Sequence, residues 1–278
     1  MRFRNPLVPL MSMALLVAAC ATSPTGRKQL MLVSEDQAIS ASRQAYAQEM
    51  SQYQKEGKLV TDHRVLDRVR GITERLVAQA VKMRPDSAKW QWSVQVIDDP
   101  KTVNAWCMAG GRMAIYTGLI QKVDPTDDEL AQVMAHEISH ALANHTAERM
   151  SVAMASQAGV VAAGVLSNNP GETMALAATA AQLAVQLPNS RASEEEADRI
   201  GIELAAKAGF DPRAAETLWQ KMAKVGGSSP PQWLSTHPSD ASRQERLAKL
   251  APKMMPFYQS AEKSAPTYPV RMGAGATS

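Results

Sequence analysis

The stretch Pro125-Thr126-Asp127-Asp128-Glu129-Leu130-Ala131-Gln132-Val133-Met134-Ala135-His136-Glu137-Ile138-Ser139-His140 decides how this chain reads. It opens as a helix start. Thr126 can cap, Asp127, Asp128 and Glu129 follow in the first turn, and Glu129 stands where a capping box needs it. The pattern predicts a helix running on to about Met150. Residues i and i+4 share a helix face, so His136 and His140 present two imidazoles to one point. Glu137 leaves the adjacent edge, where a carboxylate can accept a proton from water. This is the H-E-x-x-H spacing of a zinc centre. A catalytic zinc takes three protein ligands and keeps one position open.

The third ligand settles the class. A version with Gly at 143 and His at 146 is excluded, because those positions hold Ala143 and Thr146. His145 turns off the face shared by His136 and His140 and reads as a packing or surface histidine. A glutamate from a later helix is the alternative, and the run 190–199 offers three. The face of Glu194 carries Ala197, Asp198, Gly201 and Ala205. Small residues let another helix approach closely, and Asp198, one turn on, can bond the far nitrogen of a ligand imidazole. Glu195 faces Arg199 as an ordinary surface pair. Glu196 shares its face with Arg199, Ile200 and Glu203 and has no comparable small surface. The expected ligands of the zinc are therefore His136, His140 and Glu194, with Asp198 behind them and Glu137 as base.

Working outward, Ser34 to about Glu56 and about Asp62 to Met83 read as helices, the second stopping before Pro85. Trp90, Trp92, Val94 and Val96 alternate with polar residues as in a half-buried strand. Val103–Met108 and Arg112–Tyr116 read as two more strands joined across Ala109-Gly110-Gly111. Residues 151–187 read as an apolar helical hairpin. A helix is expected from Ser190 to Gly209, another opened by Asp211-Pro212, a loop over Gly226–Pro231, and a last helix over about Pro238–Leu250. The expectation is an α+β fold, mainly helical and zincin-like, with a small β-sheet beside the H-E-x-x-H helix. No internal repeat is visible.

The 278 residues carry Lys plus Arg 30 against Asp plus Glu 27, a net charge of +3. That balance gives no basic surplus for nucleic acid. Two cysteines make no disulfide scaffold. Arg2 and Arg4 precede an apolar stretch ending Leu16-Val17-Ala18-Ala19-Cys20, too short for a confident membrane span. It reads as a secretory leader over 1–19. Ala18-Ala19-Cys20 resembles a bacterial lipobox, which implies cleavage before Cys20 and its lipidation. Ala21 then implies the outer membrane of a Gram-negative bacterium, facing the periplasm. Residues 20–33 read as a tether, 34–253 as the metallopeptidase domain and 254–278 as a flexible tail. Cys107 reads as a buried, inert thiol.

His136-Glu137-x-x-His140 followed by Glu194-x-x-Ala197-Asp198 resembles the HtpX and CAAX-prenyl-protease family of gluzincin metallopeptidases, especially its lipoprotein members and its Oma-type branch. Three further segments are similar: Thr25-Gly26-Arg27 with Gln29-Leu30; Asn104-Ala105 through Gly110-Gly111 to Tyr116-Thr117-Gly118-Leu119; and Thr236-His237-Pro238 with Arg243. The similarity runs from about Cys20 to Leu250. Trp106-Cys107-Met108 is bulkier than usual there, and no tetratricopeptide domain is expected to follow.

The resemblance implies a zinc endopeptidase with one Zn2+ per subunit, acting in quality control of misfolded or unassembled envelope proteins. Polypeptide substrates would lie extended along the 104–116 hairpin, and the outer-membrane assembly machinery becomes a possible partner. It brings His237 near the metal, either stabilising the oxyanion or ligating zinc in a resting state. The rival reading is a lipid-anchored chaperone or assembly factor with a zinc site and little proteolysis.

Overall fold

A computed structural model describes residues 20–166, 189–225, 232–237, 242–261 and 266–272. The expected leader over 1–19 and the loop over 226–231 lie outside these residues, as does the hairpin expected within 151–187 from residue 167 onward. The chain divides into two compact units, Met1–Ala38 with Thr146–Leu187, and Ile39–His145 with Pro188–Ser278.

In the first unit, β1 (Cys20–Thr22) and β2 (Lys28–Leu30) pair antiparallel. Gly26, at φ 90°, lies in the link between them. The stretch expected to be a tether is thus a small ladder, and it is held: both Arg27 Nη atoms donate to the Glu148 carboxylate at 2.6 Å. The Val33 amide donates to Ser151 Oγ at 2.9 Å. Side chain–backbone bonds in both directions between Ser34 and Gln37 cap helix α1 (Glu35–Lys55).

The second unit carries the sheet and most helices. Asp62 caps α2 (His63–Met83) through the Arg64 amide. The Pro85–Lys89 segment is a 3-10 turn, so β3 covers Ser93–Ile97 rather than starting at Trp90. Trp92 is spent on that turn, its Nε1 donating to Ser87 O at 2.9 Å. β4 (Ala105–Met108) and β5 (Arg112–Tyr116) form the expected antiparallel hairpin, with Cys107 opposite Met113. Gly110 and Gly111 both have positive φ, and a Cβ on Gly111 would come within 2.5 Å of the Trp92 ring. The sheet order is β4-β5-β3-β6, with β3 parallel to both of its neighbours. β6 is Arg271–Met272, paired with Ser93 and Val94.

That last strand corrects the expectation of a flexible tail. Residues 254–260 continue a helix, and 266–272 return to the sheet. The Tyr268 amide donates to Glu74 O, and Val270 is buried.

After the sheet come α3 (Thr117–Val123), which sequence pattern did not announce, and α4 (Asp127–Leu142). The capping box is present: Thr126 Oγ1 accepts from the Glu129 amide and Glu129 Oε2 from the Thr126 amide at 2.8 Å. α4 stops at Leu142 rather than near Met150, because Asn144 sits in the left-handed region at φ 56°. α5 (His145–Leu166) starts after that turn and from Thr146 onward belongs to the first unit. Then follow α6 (Arg191–Lys207), capped by Ser190, and α7 (Ala214–Val225). Gly209 closes α6 at φ 79°. α8 (Gln232–Thr236) and α9 (Ser242–Ser260) complete the unit.

α4 lies between α2 and α6, with β4 beside it. Leu130, Val133, Met134 and Ile138 of α4 are fully buried with Leu76, Val94, Met113 and Leu204. Nearly every α4 side chain is inaccessible. A helix enclosed on all sides must pair every polar side chain it carries, and this constraint organises the site.

Candidate metal centre

His136, Glu137 and His140 are on the last turns of α4, and all are buried. α6 crosses directly over them. A Cβ on Gly201 would come within 3.1 Å of the His136 backbone, so the small face read from the sequence is where the two helices touch. That contact brings Glu194 to the imidazoles. Its carboxylate oxygens lie 3.3 Å from His136 Nε2 and 3.3 Å from His140 Nε2. The two Nε2 atoms are 3.1 Å apart. His237, just past α8, brings Nδ1 to 3.0 Å from Glu194 Oε1 and 3.2 Å from His136 Nε2. One ligand atom from each of His136, His140, Glu194 and His237 thus falls within 4.8 Å of the others, all four residues buried.

Three ring nitrogens and a carboxylate converging in a buried space make a poor hydrogen-bond network but a fitting donor set for a divalent cation. The electrostatics agree. Burial by itself would raise the Glu194 carboxyl, but the charge and bonds of His136 and the bonds of His140 and His237 hold it far below the carboxylate range. Burial would lower His136, and here the charge of Glu194 and the bond to Asp198 outweigh it and push it up to about 9. Burial takes His140 well below the ordinary value, despite Glu194.

Around this set, Asp198 Oδ1 lies 3.1 Å from His136 Nδ1, one α6 turn from Glu194. Arg243, on α9 and fully buried, donates Nη1 to Glu194 Oε2 at 3.0 Å and Nη2 to Asp198 Oδ1 at 2.6 Å. Glu137 Oε1 accepts from Trp233 Nε1 at 2.7 Å and lies 3.4 Å from His237 Nε2. Trp233, on α8, sits between the Trp219 and His237 rings, at 4.9 and 5.1 Å between centroids.

Two sequence expectations change, and one is narrowed. Glu196, read as lacking a packing surface, is buried and lies 3.2 Å from His145 Nε2. Of the two readings of His145, packing or surface, packing holds: it is fully buried beside His140. Glu195 is half-exposed and approaches Arg246, at 3.8 Å, rather than Arg199. Sequence reasoning missed Trp233 and Asn189, whose Nδ2 is 3.3 Å from His237 Nδ1. Neither belongs to a spaced motif: Trp233 reaches the site on α8, and Asn189 stands just ahead of the Ser190 cap of α6, its amide donating to Thr236 O. Cys107 is buried on β4, its thiol pushed well up by burial and then by the nearby Glu137 charge.

A pair of imidazoles one helical turn apart, a glutamate returned by a second helix and a strand edge alongside define a zincin-type metallopeptidase centre. The chain belongs to Peptidase family M48, whose model matches residues 66–251. It is 33% identical over 243 residues to the human mitochondrial metalloendopeptidase OMA1, covering 83% of this chain and 45% of that protein. It is 39% identical over 160 residues to the Arabidopsis thaliana mitochondrial metalloendopeptidase OMA1, covering 57% of this chain and 31% of that protein. It is 31% identical over 207 residues to the beta-barrel assembly-enhancing protease of Yersinia pestis, covering 71% and 41%. The chain spans less than half the length of these relatives.

Proposed function

We propose that this chain is a zinc-dependent endopeptidase that cuts misfolded or unassembled proteins of the bacterial envelope. The observation that carries the reading is Glu194, which meets both Nε2 atoms of the H-E-x-x-H helix while Glu137 stands on that helix beside them. His136, His140 and Glu194 would hold the ion. A zinc ion there supplies Lewis acidity, acidifying water and polarising a carbonyl oxygen. Glu137 accepts the proton of the attacking water and passes it to the leaving amine. Asp198 orients His136, and Arg243 holds Glu194 and Asp198 in register. β4, an edge strand flanking α4, offers main-chain groups to an extended substrate. Such pairing tolerates many sequences, which suits unfolded polypeptides.

His237 we assign as a fourth ligand of a resting form, because its Nδ1 lies among the other donors. The likeness to the beta-barrel assembly-enhancing protease of Yersinia pestis supports the outer-membrane assembly machinery as partner. The lipobox-like run before Cys20 supports a lipid anchor facing the periplasm. Among the described residues, no helix is long and apolar enough to cross a membrane.

The test is casein cleavage by the wild type and by Glu137→Gln. Loss of the base lowers kcat about 10²–10⁴-fold while metal content stays. Equal rates refute the mechanism and favour a metal-holding assembly factor. His237→Ala raises the rate if His237 is a resting ligand; a fall assigns it to the oxyanion instead.

A further inference from the structure

The segment after the H-E-x-x-H motif holds buried chemistry that the proposed hydrolysis does not use. His140 Nδ1 lies 2.8 Å from His145 Nδ1, and His145 Nε2 lies 3.2 Å from Glu196 Oε2. All three residues are buried. The geometry comes from a defined backbone event. α4 ends at Leu142, Asn144 takes left-handed φ, and the reversed chain places His145 back beside His140 instead of a turn further along. Arg84, just past α2, pins that reversal: its Nη1 donates to Leu142 O at 2.7 Å and to Asn144 Oδ1 at 3.0 Å.

We propose that His145 and Glu196 are positioning residues for the metal, which together fix the orientation and tautomer of His140. This rests on His140 being a ligand. The argument runs from the ligand outward. His140 Nε2 is the atom lying 3.3 Å from Glu194 and 3.1 Å from His136 Nε2. A ring that offers Nε2 to an ion keeps its proton on Nδ1, and His140 Nδ1 points at His145 Nδ1, which then accepts. A His145 ring accepting at Nδ1 has its proton on Nε2, and that atom faces the Glu196 carboxylate. A carboxylate on α6 two residues beyond Glu194 thus sets which nitrogen of His140 faces the ion. His136 is oriented by Asp198 directly, whereas His140 is oriented through an intervening imidazole. α6 in this way supplies one ligand and the outer support of both histidines.

The experiment measures affinity, which separates this role from catalysis. Zn2+ binding to the full chain is titrated against a chromophoric chelator for the wild type, His145→Phe, His145→Asn, Glu196→Met and Glu196→Gln. His145→Phe keeps a ring without an acceptor. His145→Asn restores an acceptor near the place of Nδ1. The expected result is an affinity loss of about 10–100-fold for His145→Phe and Glu196→Met, with His145→Asn and Glu196→Gln recovering most of it. Wild-type affinity in His145→Phe overturns the proposal. If that variant does not fold, Glu196→Met, which leaves His145 in place, is judged by the same criterion. Equal losses in the Phe and Asn variants also overturn it, because packing alone would produce them. A wild type that takes up no metal overturns instead the reading of His140 as a ligand.

Discussion

Gly201 shows how much one side chain decides. α6 meets the His136 backbone there: a Cβ at this position would lie 3.1 Å from His136 Cα and N, tighter than ordinary contact. Gly201→Val must push α6 away from α4. The expected cost is about 1–3 kcal/mol in thermal or urea unfolding, together with weaker metal binding, since Glu194 rides on α6. Unchanged metal affinity in a destabilised variant would mean that the ligand set tolerates the displacement. His136, Glu137 and His140 were legible from their spacing along α4, and Glu194 from the small face of α6 that carries it. Trp233 and Arg243 reach the site by packing. Arg243 had only resemblance to mark it, and Trp233 had no local signal at all.

Among the elements, α4 carries most of the burden, and its start is built around Glu129. That carboxylate accepts from the Thr126 amide, from Thr217 Oγ1 at 2.7 Å and from Lys221 Nζ at 2.7 Å. Burial would raise its pKa, but the bonds from Lys221, Thr126 and Thr217 outweigh burial and hold it below the ordinary value. A carboxyl lowered in the folded state adds stability that is complete above its unfolded pKa. That stability is lost as pH falls through the folded pKa. Glu129→Gln is therefore expected to lose about 1.5–3 kcal/mol at neutral pH and to show a shallower decline in stability below pH about 4.5. Parallel acid-unfolding curves for the two proteins would contradict this. The capping box itself was legible as a four-residue pattern. The end of α4 was not, since the apolar pattern continues beyond it and only the left-handed Asn144, held by Arg84, stops the helix.

For the whole molecule, the metal centre and stability are one question. Four buried polar residues from α4, α6 and the end of α8 face each other in the core. At metal a thousandfold above Kd, bound metal stabilises the fold by about 4 kcal/mol, which corresponds to roughly 10 °C in Tm for a domain of this size. Treatment with a chelator is expected to lower Tm by that order, and added Zn2+ to restore it. Insensitivity to chelation would mean the cluster holds no ion. At this scale the sheet was only partly foreseen. Three strands follow from alternation and turn residues, but β6 is two residues long and owes its existence to the backbone partners Ser93 and Val94.

The sequence by itself determined what depends on near neighbours along the chain: the capped helix, the paired imidazoles one turn apart, the glycine hairpin, and the small face of α6 that carries Glu194 and Asp198. Helical and strand periodicities make those relations inevitable once the elements form. Only the tertiary structure decided where α4 ends, that residues 266–272 rejoin the sheet, and that Trp233, Arg243, His145 and Glu196 close around the site. Those outcomes depend on which buried polar groups find partners across helices. That pairing is settled by packing in three dimensions, and residue spacing along the chain does not encode it.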